Sequence, residues 1–373
     1  MARRDLMDLA RRLAERGRYT VAPNPLVGAV ISRDEKVLGE GWHARAGGHH
    51  AEVAALASVD SSTRGATMHV TLEPCNHHGR TPPCTEAIIH SGISEVIVGR
   101  LDPDPRMRGQ SVAVLREAGI TVEVLDEPDL GPQNEQFFTA MRMGRPYVHL
   151  KLASTLDGRI AAANGDSKWI TTDAARWRAR MLRAEAGAVL VGARTVRNDD
   201  PLLTARDLED PPRIVRAVLD PQLTTTPETQ LARTAGESPV VIFARDKAID
   251  KHADALEKLG VAVVSVPDVE GGLDLDFTLE ELWKRDVRGV LVEGGGETAA
   301  AFMKRNLVDK LTLFYAPRLL GAEGIPMIGK LHLARMSETY GFQVSDVELL
   351  DGDLAVTLYP SRVAKEDDVY RAG

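Results

Sequence analysis

The stretch PCNHHGRTPPC, residues 74–84, decides how the first half of this 373-residue chain folds and what chemistry it can hold. It contains both cysteines of the sequence, Cys75 and Cys84, with two histidines between them. Thiolates and imidazoles are ligands that zinc prefers. A secreted protein of this size usually carries more cysteines, and these two could close only a small loop, so metal binding is favoured over a structural disulfide. The open question is whether such a metal supports the fold or takes part in a reaction.

Composition restricts the class of protein. The chain is 43% hydrophobic and 27% charged and has no apolar run near the roughly 20 residues of a membrane helix, which is typical of a soluble globular protein. A formal net charge of -8 offers no overall attraction to phosphate backbones, so nucleic acid is disfavoured as a partner. The first segment, MARRDLMDLARRLAERG, has helical spacing without the apolar region of a signal peptide, and we expect a cytoplasmic protein.

Strand-like and helical segments alternate along the chain, which predicts two α/β domains. In the first half the predicted strands are LVGAVIS (26–32), KVLGEGW (36–42), MHVTL, EVIVG and ITVEVL, with helices near 50–58, 83–91 and 110–118. The second half restarts with YVHLKLAST and continues through AVLVG, RIVRAVLD, PVVIFA, VAVVSV, VRGVLVEGGG and KLTLFYAP. Between them, the polar stretch DEPDLGPQNEQFFTAMRMGRP is punctuated by Pro and Gly and predicts a boundary near residue 145. The expected domains are therefore residues 1–145 and 146–373.

A third zinc ligand is offered by GGHHAEVAALA, in which His50 and Glu52 begin a predicted helix. The order His, any residue, Glu, followed by two cysteines, matches the signature of zinc deaminases, in which the Glu moves protons and is not a ligand. The usual form ends Pro-Cys-x-x-Cys, so the later second cysteine requires an inserted loop here. Pro83 suits a helix that begins at Cys84, whose dipole favours a thiolate.

Two interpretations of the metal site stay open at this point. Three protein ligands leave one position for water, as catalytic sites do, whereas His77 or His78 as a fourth ligand would make the site structural. The catalytic interpretation is favoured, because a structural site leaves the His-Ala-Glu helix start unexplained. His49 is expected to face away from the metal, since only one of two adjacent histidines can reach it. The expected reaction is hydrolytic deamination of an amidine-like ring carbon, with Glu52 carrying the proton.

The segment VRGVLVEGGGETAAAF reads as strand, glycine turn and helix. Gly294, Gly296 and Ala299 satisfy G-x-G-x-x-A, and such a turn lets backbone N–H groups approach a phosphate at a helix start. The signal is weak, because too few βα units follow it for a Rossmann half. A tight turn that only packs the helix on the strand is the alternative.

These motifs together resemble the bifunctional riboflavin-biosynthesis proteins, in which a pyrimidine deaminase is fused to a 5-amino-6-(5-phosphoribosylamino)uracil reductase. The resemblance rests on APNPLVGAV (22–30), HAE (50–52), PCNHHGRTPPC (74–84), KLASTLDGRIA (151–161), GDSKWIT (165–171), VRNDDPLLTAR (196–206) and VEGGGETAAAF (292–302). It implies a cytidine-deaminase-like three-layer α/β/α domain followed by a dihydrofolate-reductase-like α/β domain. The implied reactions are deamination of 2,5-diamino-6-(5-phosphoribosylamino)pyrimidin-4(3H)-one and NADPH reduction of the deaminated ribosyl product to a ribityl compound.

The resemblance also implies a role for each matching residue. Zinc would bind His50, Cys75 and Cys84, with Glu52 as the catalytic proton carrier. The implied deaminase substrate contacts are Asn24, His77, Arg80 and Asp102. The implied reductase substrate contacts are Lys151, Ser167, Arg183, Leu203, Arg206 and Glu293. The implied NADPH contacts are Ser154, Trp169, Thr195, Asp199, Gly294, Gly295 and Gly296. His77 thereby becomes a substrate contact rather than a rival ligand, and His78 receives no role.

The stretch LDPDPRMRGQSV (101–112) departs from the family pattern. Asp104 stands where the family usually has Asn, and Ser111 where a second Gly is common. An ionised Asp cannot donate a hydrogen bond and is an awkward neighbour for a substrate phosphate. We therefore expect Asp104→Asn to keep or improve deaminase activity.

Two alternative functions differ from the bifunctional enzyme. One is a single-activity zinc deaminase whose second domain only binds nucleotide or assembles an oligomer. The other is a nucleic-acid-binding protein with a structural zinc, which requires a basic surface stripe and four protein ligands. The expected partners are small phosphorylated pyrimidines and further copies of the chain in a homo-oligomer, with neither nucleic acid nor membrane.

Overall fold

A five-stranded sheet and a nine-stranded sheet form the centres of two separate units, the first reaching Gly144 and the second starting at Arg145. The computed structural model describes residues 3–76, 82–206, 208–249, 251–269 and 272–361. Across these residues, no helix has both the length and the apolar character needed to cross a bilayer.

The first unit places helices on both faces of its sheet. The strands are β1 (Gly28–Arg33), β2 (Lys36–Trp42), β3 (Thr67–Val70), β4 (Glu95–Val98) and β5 (Thr121–Val124). The helices are α1 (Arg3–Ala14), α2 (Ala51–Ala57), α3 (Cys84–Ser91), α4 (Gln110–Glu117), α5 (Leu130–Gln133) and α6 (Glu135–Met143). The strand order is β2-β1-β3-β4-β5, with β1 antiparallel to β2 and β3, and with β3, β4 and β5 parallel. The predicted three-layer α/β/α arrangement is confirmed.

Alternation along β1 explains the two helical layers, because successive strand residues point to opposite faces of a sheet. Ile31 belongs to the hydrophobic cluster that includes residues of α2, α3 and α4, whereas Val30 belongs to the cluster with α1. Gly41 of β2 allows α2 to approach closely, since a β-carbon there would lie 2.2 Å from the backbone nitrogen of Ala55. This close packing fixes the start of α2, which carries His50 as its N-cap residue.

The second unit has the strand order β11-β10-β9-β8-β14-β6-β15-β18-β17 in its main sheet. The strands are β6 (Tyr147–Thr155), β7 (Arg159–Ala161), β8 (Ala188–Gly192), β9 (Val215–Leu219), β10 (Val240–Arg245), β11 (Val261–Val266), β12 (Asp268–Val269), β13 (Gly272–Leu273), β14 (Gly289–Glu293), β15 (Lys310–Ala316), β16 (Ile325–Pro326), β17 (Phe342–Leu350) and β18 (Asp353–Pro360). The helices are α7 (Asp173–Ala186), α8 (Ala193–Asp199), α9 (Gln230–Arg233), α10 (Lys251–Glu257), α11 (Leu275–Lys284) and α12 (Gly296–Lys304). From β11 to β15 the sheet is parallel, and β18 and β17 continue it antiparallel.

Strand β6 lies near the middle of this sheet and presents two different faces. Leu150 and Leu152 point into the main hydrophobic cluster. Lys151 and Ala153 alternate with them and therefore lie on the opposite face. Helix α7 covers that second face, where its residue Leu182 packs in a cluster with Phe314 of β15. Lys151 therefore lies between the sheet and α7, where it forms part of the second site.

Candidate active sites

The three predicted zinc ligands lie together in the first unit. The Nδ1 atom of His50 is 3.2 Å from the Sγ atom of Cys84 and 3.4 Å from that of Cys75. The three donor atoms all lie within 4.8 Å of one another. Tetrahedral zinc, with bonds of about 2.3 Å to sulfur and about 2.0 Å to nitrogen, separates its ligand atoms by roughly 3.5–3.8 Å. The donor set therefore fits zinc with only a small outward movement of the ligands.

Local structure explains why these ligands meet. His50 precedes α2, Cys84 is the first residue of α3, and Cys75 follows β3. The Cys84 thiol hydrogen-bonds to Cys75 and lowers the pKa of Cys75 to about 4. The backbone N–H of Cys84 also donates to the Cys75 sulfur at 3.3 Å. The helix start thus favours a thiolate, the form of cysteine that binds metal. Within the described parts of the chain, no other group of three His, Cys, Asp or Glu side chains converges in this way.

Glu52 lies on the first turn of α2 and is only 3% exposed. Burial raises the pKa of Glu52 to about 7, with a further contribution from the negative charge of Cys75. A carboxyl group that titrates near neutral pH can both accept and return a proton. Because it is not one of the three converging donors, Glu52 is free to carry protons beside a metal.

His43 is a site residue that the sequence motifs did not predict. Its ring meets the ring of His50 edge-on, with centroids 5.4 Å apart. Burial lowers the pKa of His43, so its ring is neutral at physiological pH. With Nδ1 donating to the carbonyl of His49 at 2.9 Å, Nε2 can accept from the Asn24 amide at 3.0 Å. The available signal was a third histidine directly after a predicted strand, in the segment GWHARAGGHHAE.

Glu73 is a second missed residue, and it organises the loop that carries Asp102. Its carboxylate accepts hydrogen bonds from the backbone N–H groups of Asp102, Gly109 and Ser111 at 3.0, 2.9 and 3.1 Å. The Ser111 hydroxyl donates to the carbonyl of Pro74, so Ser111 ties the loop to the segment holding Cys75. A carboxylate directly before the Pro-Cys motif was the signal in the sequence.

The predicted deaminase substrate contacts are only partly described. Asn24 bonds to His43, and one oxygen of Asp102 accepts from the backbone N–H of Asp104 at 2.8 Å. His77 and Arg80, like His78, lie outside the described residues, so their roles stay predictions.

The second unit contains a cavity of about 780 Å³ that opens over β6 and β14. All six predicted reductase substrate residues line it: Lys151, Ser167, Arg183, Leu203, Arg206 and Glu293. Two of the predicted NADPH residues, Trp169 and Asp199, line it as well. The sequence motifs from four separate stretches thus meet at one cavity.

A charged cluster forms one wall of the cavity. Arg183 donates to both carboxylate oxygens of Glu293, at 2.5 and 3.0 Å, and the Lys151 ammonium lies 3.8 Å from the same carboxylate. Burial alone would raise the pKa of Glu293, but the two cations outweigh it and hold the pKa at about 2. Burial lowers the pKa of Lys151, an effect opposed by Glu293. The cluster places two basic side chains, Arg183 and Lys151, beside one carboxylate, an arrangement that suits a phosphorylated substrate.

The remaining predicted NADPH residues lie outside the cavity lining, at the carboxyl ends of three adjacent parallel strands. Ser154 is near the end of β6, Thr195 follows β8, and Gly294 to Gly296 follow β14. Ligands of parallel α/β sheets bind at the carboxyl ends of the strands, which is where these residues lie.

The glycine turn after β14 serves two physical purposes. A β-carbon at Gly296 would lie 2.8 Å from backbone atoms of Gly329 and Pro326, so this glycine is required for packing. A β-carbon at Gly295 would meet nothing within 4 Å, so its backbone faces open space. The packing interpretation of the motif therefore applies at Gly296, whereas phosphate binding at Gly295, which leaves open space, stays a prediction.

The fold and the two sites define the class of protein: a zinc-dependent deaminase joined to an NADPH-dependent reductase. Residues 1–100 match the cytidine and deoxycytidylate deaminase zinc-binding region, and residues 146–351 match the RibD C-terminal domain. The chain belongs to the RibD family of riboflavin biosynthesis proteins.

The similarity extends over nearly the full length of the relatives. The riboflavin biosynthesis protein RibD of Aquifex aeolicus is 41% identical over 354 residues, covering 95% of this chain and 97% of the relative. RibD of Escherichia coli is 36% identical over 367 residues, covering 94% and 98%. The solved structure of Acinetobacter baumannii RibD, form 1, superposes with a TM-score of 0.87 at 37% identity, covering 96% and 98%. The Thermotoga maritima diaminohydroxyphosphoribosylaminopyrimidine deaminase/5-amino-6-(5-phosphoribosylamino)uracil reductase gives 0.81 at 36% identity, covering 95% and 98%.

Family membership resolves the functional alternatives. The predicted cytidine-deaminase-like and dihydrofolate-reductase-like folds are confirmed, as are a bifunctional enzyme and its two cofactors, zinc and NADPH. A nucleic-acid-binding protein with a structural zinc was the wrong alternative. The single-activity deaminase is also set aside, because the second unit matches the reductase domain of the family.

Proposed function

We propose that this chain deaminates 2,5-diamino-6-(5-phosphoribosylamino)pyrimidin-4(3H)-one and then reduces the ribosyl side chain of the deaminated product. The relative from Thermotoga maritima is named for this pair of activities. The observation that carries the proposal is the occurrence, in one chain, of a His-Cys-Cys cluster beside a buried glutamate and of a cationic cavity built from the reductase motifs. Residues 1–145 are assigned to the first reaction and residues 146–373 to the second.

In the first site, His50, Cys75 and Cys84 would hold zinc, which would supply an acidified water as the source of hydroxide near neutral pH. Glu52, buried beside the ligands, takes up the released proton and passes it to the departing amine, which is otherwise too basic to leave. Asn24 and Asp102 are assigned to the pyrimidine and its ribose, together with His77 and Arg80.

In the second site, the substrate and the cofactor are assigned to neighbouring groups of residues. Lys151, Arg183 and Arg206 supply positive charge for the phosphorylated substrate, with Ser167, Leu203 and Glu293 beside them. Gly294, Gly295 and Gly296 are assigned to the NADPH diphosphate, together with Ser154, Trp169, Thr195 and Asp199. When bound, NADPH supplies the hydride for C1′ of the opened ribose, and the side chains orient the two molecules.

Mass spectrometry of the products tests both reactions. Purified protein is incubated with the diaminopyrimidine phosphate, first without and then with NADPH. Deamination gives a product about one mass unit heavier, since an oxygen replaces an amine nitrogen, and reduction adds about two more. A substrate left unchanged in the presence of zinc and NADPH contradicts the proposal.

Matched variants assign each reaction to its site. With the deaminated substrate supplied, NADPH oxidation should be lost in Glu293→Ala and retained in Glu52→Ala, because the two residues belong to separate units. The deamination reaction should show the opposite pattern. Loss of both activities in both variants is the result that argues against independent sites.

We also propose that the chain forms a homo-oligomer in the cytoplasm. Strand β17 is an edge strand of the nine-stranded sheet, and Val344, Val347 and Leu349 on it are 61%, 56% and 70% exposed. Exposed apolar edge strands favour pairing with another chain. The two cysteines, which form no disulfide, and the need for NADPH favour a reducing compartment. Light scattering on the wild type and on Val347→Lys tests the assembly, and a smaller particle is expected for the variant. Cell fractionation tests the location.

A further inference from the structure

Arg216, the second residue of β9, is the largest fully buried side chain described in the protein and is 0% exposed. Its guanidinium donates four hydrogen bonds. They reach the carbonyl of Leu202 at 3.1 Å, the hydroxyl and carbonyl of Thr234 at 2.7 and 2.8 Å, and the carbonyl of Ser238 at 2.5 Å. The side chain therefore ties together three segments that are distant in sequence.

Among the residues that the structure describes, no carboxylate hydrogen-bonds to this buried cation, although the charge of Glu237 acts on it through space. Burial lowers the pKa of Arg216 to about 10, which leaves it charged at neutral pH. A charge removed from water is costly unless hydrogen bonds replace its hydration. An apolar residue would fit the surrounding hydrophobic cluster of Ile214 and Val218 at lower cost. The hydrogen bonds that the guanidinium makes therefore explain why position 216 holds an arginine.

One of these bonds reaches the wall of the reductase cavity. Leu202 lies in the loop of residues 200–206, of which Asp200, Leu202, Leu203 and Arg206 line the cavity. Thr234 and Ser238 lie instead in the connection between α9 and β10, at the sheet. Arg216 therefore joins a cavity loop to the rigid part of the fold.

The backbone conformation of the loop explains why it needs the hydrogen bond from Arg216. Leu203 has a φ of 52° and is 3% exposed, a left-handed conformation that a leucine adopts only when its surroundings impose it. Asp200 provides a second anchor, because its carboxylate accepts from the backbone N–H of Gln230 at 2.8 Å. The loop is thus held at Asp200 by α9 and at Leu202 by Arg216, directly before Leu203.

We propose that Arg216 is a positioning residue for the reductase reaction: by bonding the Leu202 carbonyl it holds Leu203 and Arg206 in the place where the phosphorylated substrate binds. The inference rests on the proposed assignment of Leu203 and Arg206 to the substrate. Arg216 does not touch the cavity itself, so its effect is carried entirely by the loop.

Steady-state kinetics of Arg216→Met and Arg216→Lys test the inference, with the unfolding transition of the second unit in chemical denaturation as the measure of folded protein. Displacement of a binding group by about 1 Å is costly, so Arg216→Met should raise the reductase KM about ten-fold, with kcat changed by less than about three-fold. Arg216→Lys, which keeps the charge and reaches fewer acceptors, should raise KM by a smaller factor. If Arg216→Met does not fold, the KM of Arg216→Lys tests the inference in its place.

Arg213→Met is the matched control. Arg213 is exposed and donates to the carbonyls of Glu237 and Gly236, both at 2.6 Å, so it anchors the same α9–β10 connection without reaching Leu202. Its reductase KM should stay at the wild-type value. Equal KM values for the Arg216 and Arg213 variants would overturn the inference.

Arg206→Met separates the positioning role of Arg216 from the assignment of the loop to the substrate. If Arg206→Met leaves the reductase KM unchanged, the assignment of the loop to the substrate is wrong. If it raises the KM while both Arg216 variants keep a normal KM, only the positioning role is rejected.

Discussion

At the scale of the residue, Asp104 is a buried carboxylate whose charge is paired within its own loop. Its side chain is 9% exposed, and both carboxylate oxygens accept from the Arg106 guanidinium, at 3.0 and 2.7 Å. This hydrogen bonding lowers the pKa of Asp104, which is therefore ionised and neutralised by Arg106. We expect Asp104→Asn to change deaminase kcat/KM by less than about two-fold, because a neutral amide needs no such partner. A large loss of activity contradicts this view of the pair.

Arg106→Met provides the complementary measurement. It leaves the Asp104 carboxylate unpaired beside the loop of Asp102, so the deaminase KM for the dianionic substrate should rise about three- to ten-fold. In the double variant with Asp104→Asn, the KM should return toward the wild-type value, because neighbouring residues couple. If the KM changes of the two single variants simply add in the double variant, the Asp104–Arg106 pair is not linked to substrate binding.

The glycine turn after β14 allows packing and cofactor binding to be separated by two single substitutions. Gly295 has φ -70° and ψ 170°, which any residue adopts, and space for a β-carbon. Gly295→Ala should therefore fold normally and raise the KM for NADPH about ten-fold, by blocking close approach of the diphosphate. Gly296→Ala should lower the free energy of unfolding by about 1–3 kcal/mol, because its β-carbon meets backbone at 2.8 Å. Unchanged NADPH binding in Gly295→Ala, measured directly by calorimetry, is the contrary result.

At the scale of the element, the C-terminal hairpin supports the reductase cavity from a distance in sequence. Asp353, the first residue of β18, accepts from the backbone N–H and the hydroxyl of Thr172, at 2.6 and 3.0 Å. Thr172 is the N-cap of α7, the helix that carries Arg183. Asp353→Ala should lower the free energy of unfolding by about 1–3 kcal/mol, since it leaves this cap without its buried partner, and raise the reductase KM.

Asp351→Asn is the control for this prediction, since Asp351 lies in the exposed turn of the same hairpin. It has a φ of 50°, a conformation that Asn tolerates as well as Asp. Chemical denaturation and reductase kinetics should both match the wild type. Equal destabilisation by the two substitutions would show that the whole hairpin, and not the Asp353 contact, supports α7.

The elements also show what the sequence could and could not predict. Strands such as β6 and β14 are recognisable because their apolar runs are long and bounded by turns. The β17–β18 hairpin was missed, although its Asp-Gly turn is a strong hairpin signal, because the exposed face of β17 lacks a clear apolar alternation. The ligands His50, Cys75 and Cys84 were predicted from spacing. Arg216 was not, because a buried arginine bonded to carbonyls has no sequence signature.

At the scale of the whole molecule, each hydrophobic cluster of described residues belongs to one unit. The clusters with α1 to α5 use residues before the boundary, and those around β6 to β18 use residues after it. The predicted zinc ligands lie entirely in the first unit, and the cavity with the charged cluster lies entirely in the second. The fold therefore gives each reaction its own core, so that loss of one site does not require loss of the other.

Removal of zinc tests this independence. Because metal binding stabilises only the folded first unit, a chelator such as dipicolinate should abolish deamination and lower the unfolding temperature of that unit. Reduction of the deaminated substrate by NADPH should continue at the wild-type rate, and the unfolding transition of the second unit should not move. Cys84→Ser should reproduce both effects without chelator, and added zinc should restore only the chelated wild type. A parallel fall of reductase activity would show that the two cores unfold as one, in which case the zinc site stabilises the entire chain.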